Sequence, residues 1–587
     1  MVLSGSADVS GRLVLKGVPA SPGIAIGRAF VLDTDLAVDA AEVVSPDSIA
    51  NELSRFKQAL DSVRNELDQA MELAINESPT AVNIVESYQL VVADPLMHQN
   101  IATRISEGIT AEAGVAREFD THRTILYNSK DAFLRSRAQD LEFVKERIIG
   151  VLRKRTLSHN SGVDSIVVAP HVTPQDMLFF KATQTLGYVT EVGGINSHVC
   201  ILARDMGYPA VVGIKSAATL ISPNSCLIVD GYSGIVVVDP DDATLQAYKE
   251  KASKAELYRL QLAELANKEA ITSDGIRISL QSNVDEPDNV DAMLMAGADG
   301  VGLVRTEYLL TQLGRYPTVD EQTTWYRDIA ERAYPSTVTI RAFDVGSDKF
   351  RQGIPHAEDN PALGLRGIRF LLYRPDLFAN QVTAILKASV HRNIRLMLPM
   401  ISMIEEINRA QAIIEQCKAS LAEQDVDFDP AMPVGIMIET PAAAMMADSF
   451  ASHADFMSIG TNDLAQYALA TDRTNDLVAD VFDPLHPAVI KMIEMVVLAA
   501  QKHGLSVSVC GELAGHASAT EMLVGIGIRE LSVAPRLLLE LKRRIINVSY
   551  QQCVELVEKL RNCTSTQEVH TILDSVNAWR GKDDLVA

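Results

Sequence analysis

Arg305, Arg341, Arg366 and Arg369, the carboxylates Glu439 and Asp463 with Asn462 beside the latter, and the thiol of Cys510 all lie where short apolar runs alternate with helical stretches. Each follows or closes such a run. Arg305-Thr306-Glu307 follows GVGLV, Arg341 and Asp344 sit in VTIRAFD, Glu439 ends VGIMIE, Asn462-Asp463 follows FMSIG, and Cys510 ends LSVSVC, just ahead of Glu512. Guanidinium forks bind phosphate and carboxylate at two points, so several at one mouth imply an anionic, phosphorylated substrate. Two hard carboxylates suit Mg²⁺ completed by substrate oxygens and water. A surface ion-pair network is the alternative for any one of these charges taken alone. An isolated cysteine is most often a small core residue, but at a strand end beside Gly511-Glu512 it becomes a candidate acid or nucleophile.

A further candidate stands far upstream, in GGINSH (193–198), between the apolar run at 186–189 and a helix-like segment from Val199. A lone histidine is more often structural than catalytic. Here, however, Gly193-Gly194 let the backbone approach a ligand, and a helix start favours a phosphoryl group. A neutral imidazole is a competent nucleophile near neutral pH, so His198 is a candidate phosphoryl acceptor. If it serves the same reaction as the arginines and carboxylates, it has to travel to them.

The elements that must place these side chains are legible in the pattern. Eight strand candidates occur after residue 271, at 276–283, 300–304, 338–344, 394–400, 434–439, 456–460, 505–510 and 528–533. Eight strand and helix units in about 300 residues predict a TIM-like (β/α)8 barrel, whose site lies at the carboxyl ends of the strands, with an open doubly wound sheet as the alternative. Residues 13–33 and the stretch from 164 share short strands punctuated by Gly and Pro, so 1–33 and 150–240 are joined into one α/β domain. Between them, Leu53, Phe56, Leu60, Val63, Leu67 and Ala70 recur at spacings of three and four, marking a long amphipathic helix in an inserted helical subdomain at 34–149. Asp94-Pro95 and Thr110 read as helix starts. Residues 241–270 predict a connecting helix and a hinge, and 271–587 the barrel.

With 587 residues the chain exceeds one ordinary core, and 47% hydrophobic with 22% charged residues is a globular composition. The net charge of −23 argues against nucleic acid and anionic membranes and favours a basic protein partner. The six cysteines show no CxxC pair, so reduced thiols in a cytoplasm are expected rather than a disulfide framework or a zinc site. Neither a signal peptide nor a membrane span of roughly 20 apolar residues is expected.

Together these motifs resemble the Enzyme I family of the bacterial phosphotransferase system, the phosphoenolpyruvate-protein phosphotransferases among the PEP-utilizing enzymes. GVPASPGIAIG, GGINSHVCILARDMGYPAVVG, GVGLVRTEYLL, RAFDVGSDK, NPALGLRGIR, GIMIETPAAA, SIGTNDLAQYALATDR and CGELAG follow that family in order and spacing. The resemblance implies that His198 attacks phosphoenolpyruvate through Nε2 and later phosphorylates a histidine of the small carrier HPr. Arg305, Arg341 and Arg473 would hold the phosphate, helped by Asn462, the Asp463 backbone and Arg366. Glu439 and Asp463 would ligate Mg²⁺, and Cys510 would protonate the enolate to pyruvate. It also implies a swivelling phosphohistidine domain, an HPr-docking helical subdomain and a homodimer formed through the barrel.

Two departures stand out. Enzymes I usually carry Gly-Gly-Arg-Thr-Ser-His, where this chain has Ile195-Asn196, and Ser347 replaces a usual glycine. The alternatives weighed are the nitrogen-related Enzyme I, which phosphorylates a different carrier and usually starts with a sensory domain; a pyruvate phosphate dikinase or phosphoenolpyruvate synthase relative, which needs an ATP-grasp domain; and a non-catalytic regulator. The sugar branch is the reading favoured here.

Overall fold

The computed structural model describes residues 6–7, 13–32, 44–75, 79–127, 132–153, 164–172, 176–177, 185–192, 200, 203–204, 206–346, 358–473, 475, 478 and 480–580. The chain divides into two compact units, 1–256 and 257–585, and the boundary falls within the helix Asp242–Ala263. No described helix is long and apolar enough to cross a membrane.

The first unit is built on β1 (Ser6–Ala7), β2 (Leu13–Lys16), β3 (Val18–Ser21), β4 (Ile24–Val31), β5 (Ser165–Ala169), β6 (Gly187–Thr190), β7 (Ala210–Val212), β8 (Cys226–Asp230) and β9 (Ile235–Val238). They form one mixed sheet in the order β1-β2-β9-β8-β4-β5-β6-β7-β3. β4, separated from β5 by more than a hundred residues, pairs with it in parallel, Arg28 opposite Ser165 and Val31 opposite Val168. Strand alternation decides what each face buries. Ile166, Val168, Val189 and Val211 enter one core with Leu227 and Val229. Val167, Ala169, Tyr188 and Val212 enter another, shared with the helices of the long insertion.

Those helices are α1 (Ile49–Ile75), α2 (Pro79–Ala93), α3 (Pro95–Ser106), α4 (Ala111–Tyr127) and α5 (Ala132–Leu152). The stripe on α1 packs as its spacing predicts, with Phe56, Leu60, Val63, Leu67 and Ala70 buried and Leu53 packed against them. Asp94 accepts the amides of Leu96 and Met97 at the start of α3, and Thr110 Oγ1 accepts that of Ala113 at the start of α4. Such caps satisfy amides that the helix itself leaves open. Arg55 on α1 ties three helices together through Glu52, Glu112 and the Leu152 carbonyl.

The second unit is a closed parallel barrel, and all eight predicted strands are in it: β10 (Ser279–Val284), β11 (Gly300–Val304), β12 (Thr337–Arg341), β13 (Ile394–Leu398), β14 (Val434–Ile438), β15 (Phe456–Ile459), β16 (Ser506–Val509) and β17 (Glu530–Val533). Pairing of β10 with β17, Ser279 opposite Glu530, closes it and rules out the open sheet. Alternation again sorts the side chains. Val338, Ile340, Leu396, Leu398, Ile436 and Ile438 face outward into the core under the helices. Leu303, Met397, Met437, Phe456 and Cys510 form a separate inner cluster. Toward the amino-terminal end of the strands Arg395 lies over the Phe456 ring, 3.8 Å from Glu530, and donates to Thr339.

Candidate active site

Carboxyl ends of four barrel strands, β11, β12, β14 and β15, bring the charged candidates together. Arg341 closes β12 and is buried, with ion pairs to Glu307 at 3.1 Å and Asp344 at 3.4 Å. Glu307 binds twice, since its other oxygen accepts the Asp344 amide at 2.6 Å. Asp344 in turn takes a two-point contact from Arg366, 2.7 Å from Nη2 and 3.2 Å from Nε. Arg366 also reaches Asp463, 3.7 Å away, and donates to the Tyr467 hydroxyl at 3.1 Å. Burial opposes the charge on both guanidiniums. For Arg341 the fields of Glu307, Asp344 and Glu439 overcome that penalty, and for Arg366 those of Asp344 and Asp463 do, so both pKa values end above the ordinary one. These arginines stay charged while desolvated, which is where a fork binds an anion most strongly.

Glu439 and Asp463 carry the opposite tension. Glu439 is 1% exposed and accepts the Met400 amide at 2.6 Å. Burial, and then repulsion from Asp463 and Asp344, push its carboxyl up to about 8 against the pull of Arg341. Asp463, at the start of the helix Thr461–Leu469, has a buried Oδ1 that finds no hydrogen-bond partner among the described residues. With Glu439 ionised as well, the carboxylates of Glu307, Asp344, Glu439 and Asp463 would exceed the two guanidiniums by two charges, which is why its carboxyl holds a proton in the absence of a cation. A raised carboxyl, an orphaned carboxylate oxygen and that surplus fit a divalent cation at Glu439 and Asp463. Among the described residues no three His, Cys, Asp or Glu side chains form a metal cage by themselves.

Local backbone serves this pair. Met400 holds φ at +57°, an uncommon conformation for a side-chain-bearing residue, and thereby aims its amide at Glu439. A Cβ at Gly460 would stand 2.9 Å from Glu439 Oε2, so only glycine leaves the carboxylate its space there.

Cys510 follows β16 and points into the barrel, 4% exposed. Burial pushes its thiol pKa up, with the Ser458 hydrogen bond and Arg341 pulling back, so the sulfur keeps its proton. That state suits an acid. The alternative reading of this cysteine as an apolar core residue describes its neighbours but not its polar contacts, Ser458 at 3.3 Å and the Ile459 carbonyl at 3.7 Å.

The remaining candidates lie at the rim or beyond it. Asn462 donates to Glu512 at 3.1 Å and accepts the Glu512 amide at 2.9 Å. Arg305 is half exposed, 3.5 Å from Asp285. Arg473 is exposed past the helix Thr461–Leu469, its amide bonded to Gln466. Arg369 turns away from the cluster, toward Ser402 and the Leu363 carbonyl. His198, with Gly193, Gly194, Ile195, Asn196 and Ser197, lies outside the described residues, as does Ser347. Just ahead of that stretch, Thr190 donates to the Val192 carbonyl and Glu191 accepts the Ala218 amide.

The PEP-utilising enzyme families match in order along the chain: the N-terminal domain over residues 16–137, the mobile domain over 162–234 and the PEP-binding domain over 259–550. Phosphoenolpyruvate-protein phosphotransferases from Priestia megaterium and Bacillus subtilis are each 34% identical over 94% of this chain, and 97% and 98% of their own lengths are covered. One from Cupriavidus necator is 36% identical over 94% of this chain and 97% of its own. The chain belongs to the phosphoenolpyruvate-protein phosphotransferase family.

Within this phosphotransferase, four contributors escape a reading of apolar runs: Met400, Tyr467, Ser458 and Ser508. Tyr467 carries a signal only in space, where its hydroxyl accepts from Arg366 and donates to the Ala362 carbonyl. The serines did have a signal. SVSVC alternates polar and apolar, which marks small polar residues facing the barrel interior, and in FMSIG the single polar side chain, Ser458, interrupts an apolar run.

Proposed function

We propose that this protein transfers the phosphoryl group of phosphoenolpyruvate to His198 Nε2, releasing pyruvate, and then passes it to a histidine of an HPr-type carrier in the cytoplasm. The observation that carries this reading is the convergence of Arg341, Arg366, Glu439, Asp463 and a protonated Cys510 on one end of the barrel.

In the first step the P–O bond of phosphoenolpyruvate breaks as the N–P bond to His198 forms. Arg341 and Arg366, with Arg305 and Arg473 at the rim, bind the phosphate and carboxylate, while Asn462 orients the substrate and Asp463 adds its backbone. Because both buried guanidiniums are fixed by carboxylates before substrate arrives, little reorganisation is needed when charge develops on the phosphoryl oxygens. Glu439 and Asp463 would hold Mg²⁺. Held there, a divalent cation would supply neutralisation of the phosphate charge. The leaving enolate takes the Cys510 S–H proton at C3, leaving pyruvate and a thiolate that is reprotonated from solvent. Removing the enolate makes transfer to nitrogen favourable. A homodimer formed through the barrel unit belongs to the same reading. Met445, Met446, Met495 and Leu498, exposed on helices that pack together, supply apolar surface for it.

Incubation with phosphorus-labelled phosphoenolpyruvate and Mg²⁺ tests the mechanism. Acid-labile label on the wild type, absent from His198→Ala and discharged by HPr, is the expected result. Label that survives His198→Ala sinks it, and discharge only by a nitrogen-type carrier would move the protein to that branch. Cys510→Ala is expected to slow the reaction severely while the barrel stays folded.

A further inference from the structure

Ser458 on β15 and Cys510 after β16 are 52 positions apart in sequence, yet Ser458 Oγ donates to the Cys510 sulfur at 3.3 Å. Ser508 Oγ donates to Ser458 Oγ at 2.8 Å. All three side chains are buried. A serine hydroxyl has one proton. When Ser458 commits it to the sulfur, its lone pairs are free to accept from Ser508, so the chain of donors runs one way and ends at Cys510. Among the described residues the thiol's own proton faces the Ile459 carbonyl at 3.7 Å, a long contact that leaves it transferable. The Cys510 backbone is held as well: its amide donates to Ile459, and its carbonyl accepts from Asn283, whose Oδ1 is fixed by Ser532 at 2.7 Å.

We propose that Ser458, oriented by Ser508, is the positioning residue of the proton donor and stabilises the thiolate that Cys510 becomes. This rests on the reading of Cys510 as the acid. When the S–H bond breaks and its proton forms the new C–H bond at C3 of the enolate, the electron pair stays on sulfur. Ser458 is then already in place with a charge-assisted hydrogen bond. Arg341 and Arg305 favour the same anion, whereas burial and Glu439 oppose it. Packing alone would ask for a small side chain at 458 but not for a hydroxyl with its own donor.

The test compares Ser458→Ala and Ser458→Thr in the full chain. Alkylation of Cys510 by iodoacetamide is followed across pH by mass spectrometry, and pyruvate release is measured over the same range. For Ser458→Ala the midpoint of alkylation is expected to rise by about 1 pH unit or more. Pyruvate release should fall about tenfold near neutral pH, with its alkaline limb displaced upward. Threonine should restore both. Slower turnover with an unmoved midpoint and limb would overturn the proposal, since a packing defect cannot move either. Should Ser458→Ala fail to fold, Ser508→Ala takes its place, with a smaller shift expected in the same direction and no shift counting against the proposal. Cys510→Ala separates the two readings: full pyruvate release in that variant removes the assignment of Cys510 itself, whatever Ser458 does.

Discussion

Replacing Glu439 by glutamine should change how the stability of the barrel depends on pH. The folded protein holds this carboxyl up to about 8 against an ordinary value of 4.5. Between those two values the folded state binds a proton that the unfolded chain has released, so stability falls as pH rises through the window and levels off above it. At about 1.4 kcal/mol per pH unit, the accumulated loss reaches roughly 4–5 kcal/mol by pH 8. Relaxation of neighbouring groups and water entry reduce that to roughly 2–4 kcal/mol. Glutamine has no proton to lose, so Glu439→Gln should lack this slope while keeping a polar group at the same place. Urea unfolding of both proteins from pH 5 to 8.5, in the presence of a chelator, measures the difference. Trp325 packs against the barrel core, and the only other tryptophan in the sequence, Trp579, falls in the same unit, so a fluorescence change from Trp325 reports the unfolding of the barrel. Millimolar Mg²⁺ should flatten the wild-type slope, because the cation competes for the ionised carboxylate, and should leave Glu439→Gln little changed. Parallel curves for the two proteins between pH 5 and 8 would refute the reasoning. They would mean that Arg341 already keeps Glu439 ionised without a cation.

Asp344→Asn should destabilise the barrel by about 3–5 kcal/mol, because Arg366 loses its two-point partner in a buried site; a loss below 1 kcal/mol in urea unfolding would show that Asp463 compensates. Gly460→Ala places a Cβ against Glu439 Oε2 and Met437 Sδ. It should cost only about 1–3 kcal/mol in the same assay yet raise the Mg²⁺ concentration needed for pyruvate release several-fold, and an unchanged Mg²⁺ requirement would show that the carboxylate has room to move.

What was legible in the sequence is what the backbone encodes locally. A strand repeats every two residues and a helix every 3.6, so eight barrel strands, the α1 stripe and the caps at Asp94 and Thr110 announce themselves within a few neighbours. The same local reading places Arg341, Glu439 and Cys510 at strand ends, and thus at one mouth. Which side chains then meet is another matter. Arg366 and Arg369 are three residues apart in one motif, yet only Arg366 enters the cluster, because the chain turns at Gly367, with φ +56°, and a Cβ there would collide with Met400. The proton on Glu439 depends on Asp463 and Asp344, brought close by three different strand ends, and the hydrogen bond from Ser458 to Cys510 depends on the register of β15 against β16. Closure of the barrel through β10 and β17 sets all of these distances at once. Residue types and periodicity therefore determine the elements and the kinds of chemistry they carry. Pairing, burial and protonation belong to the tertiary structure, because they come from through-space fields and register between segments far apart in the chain.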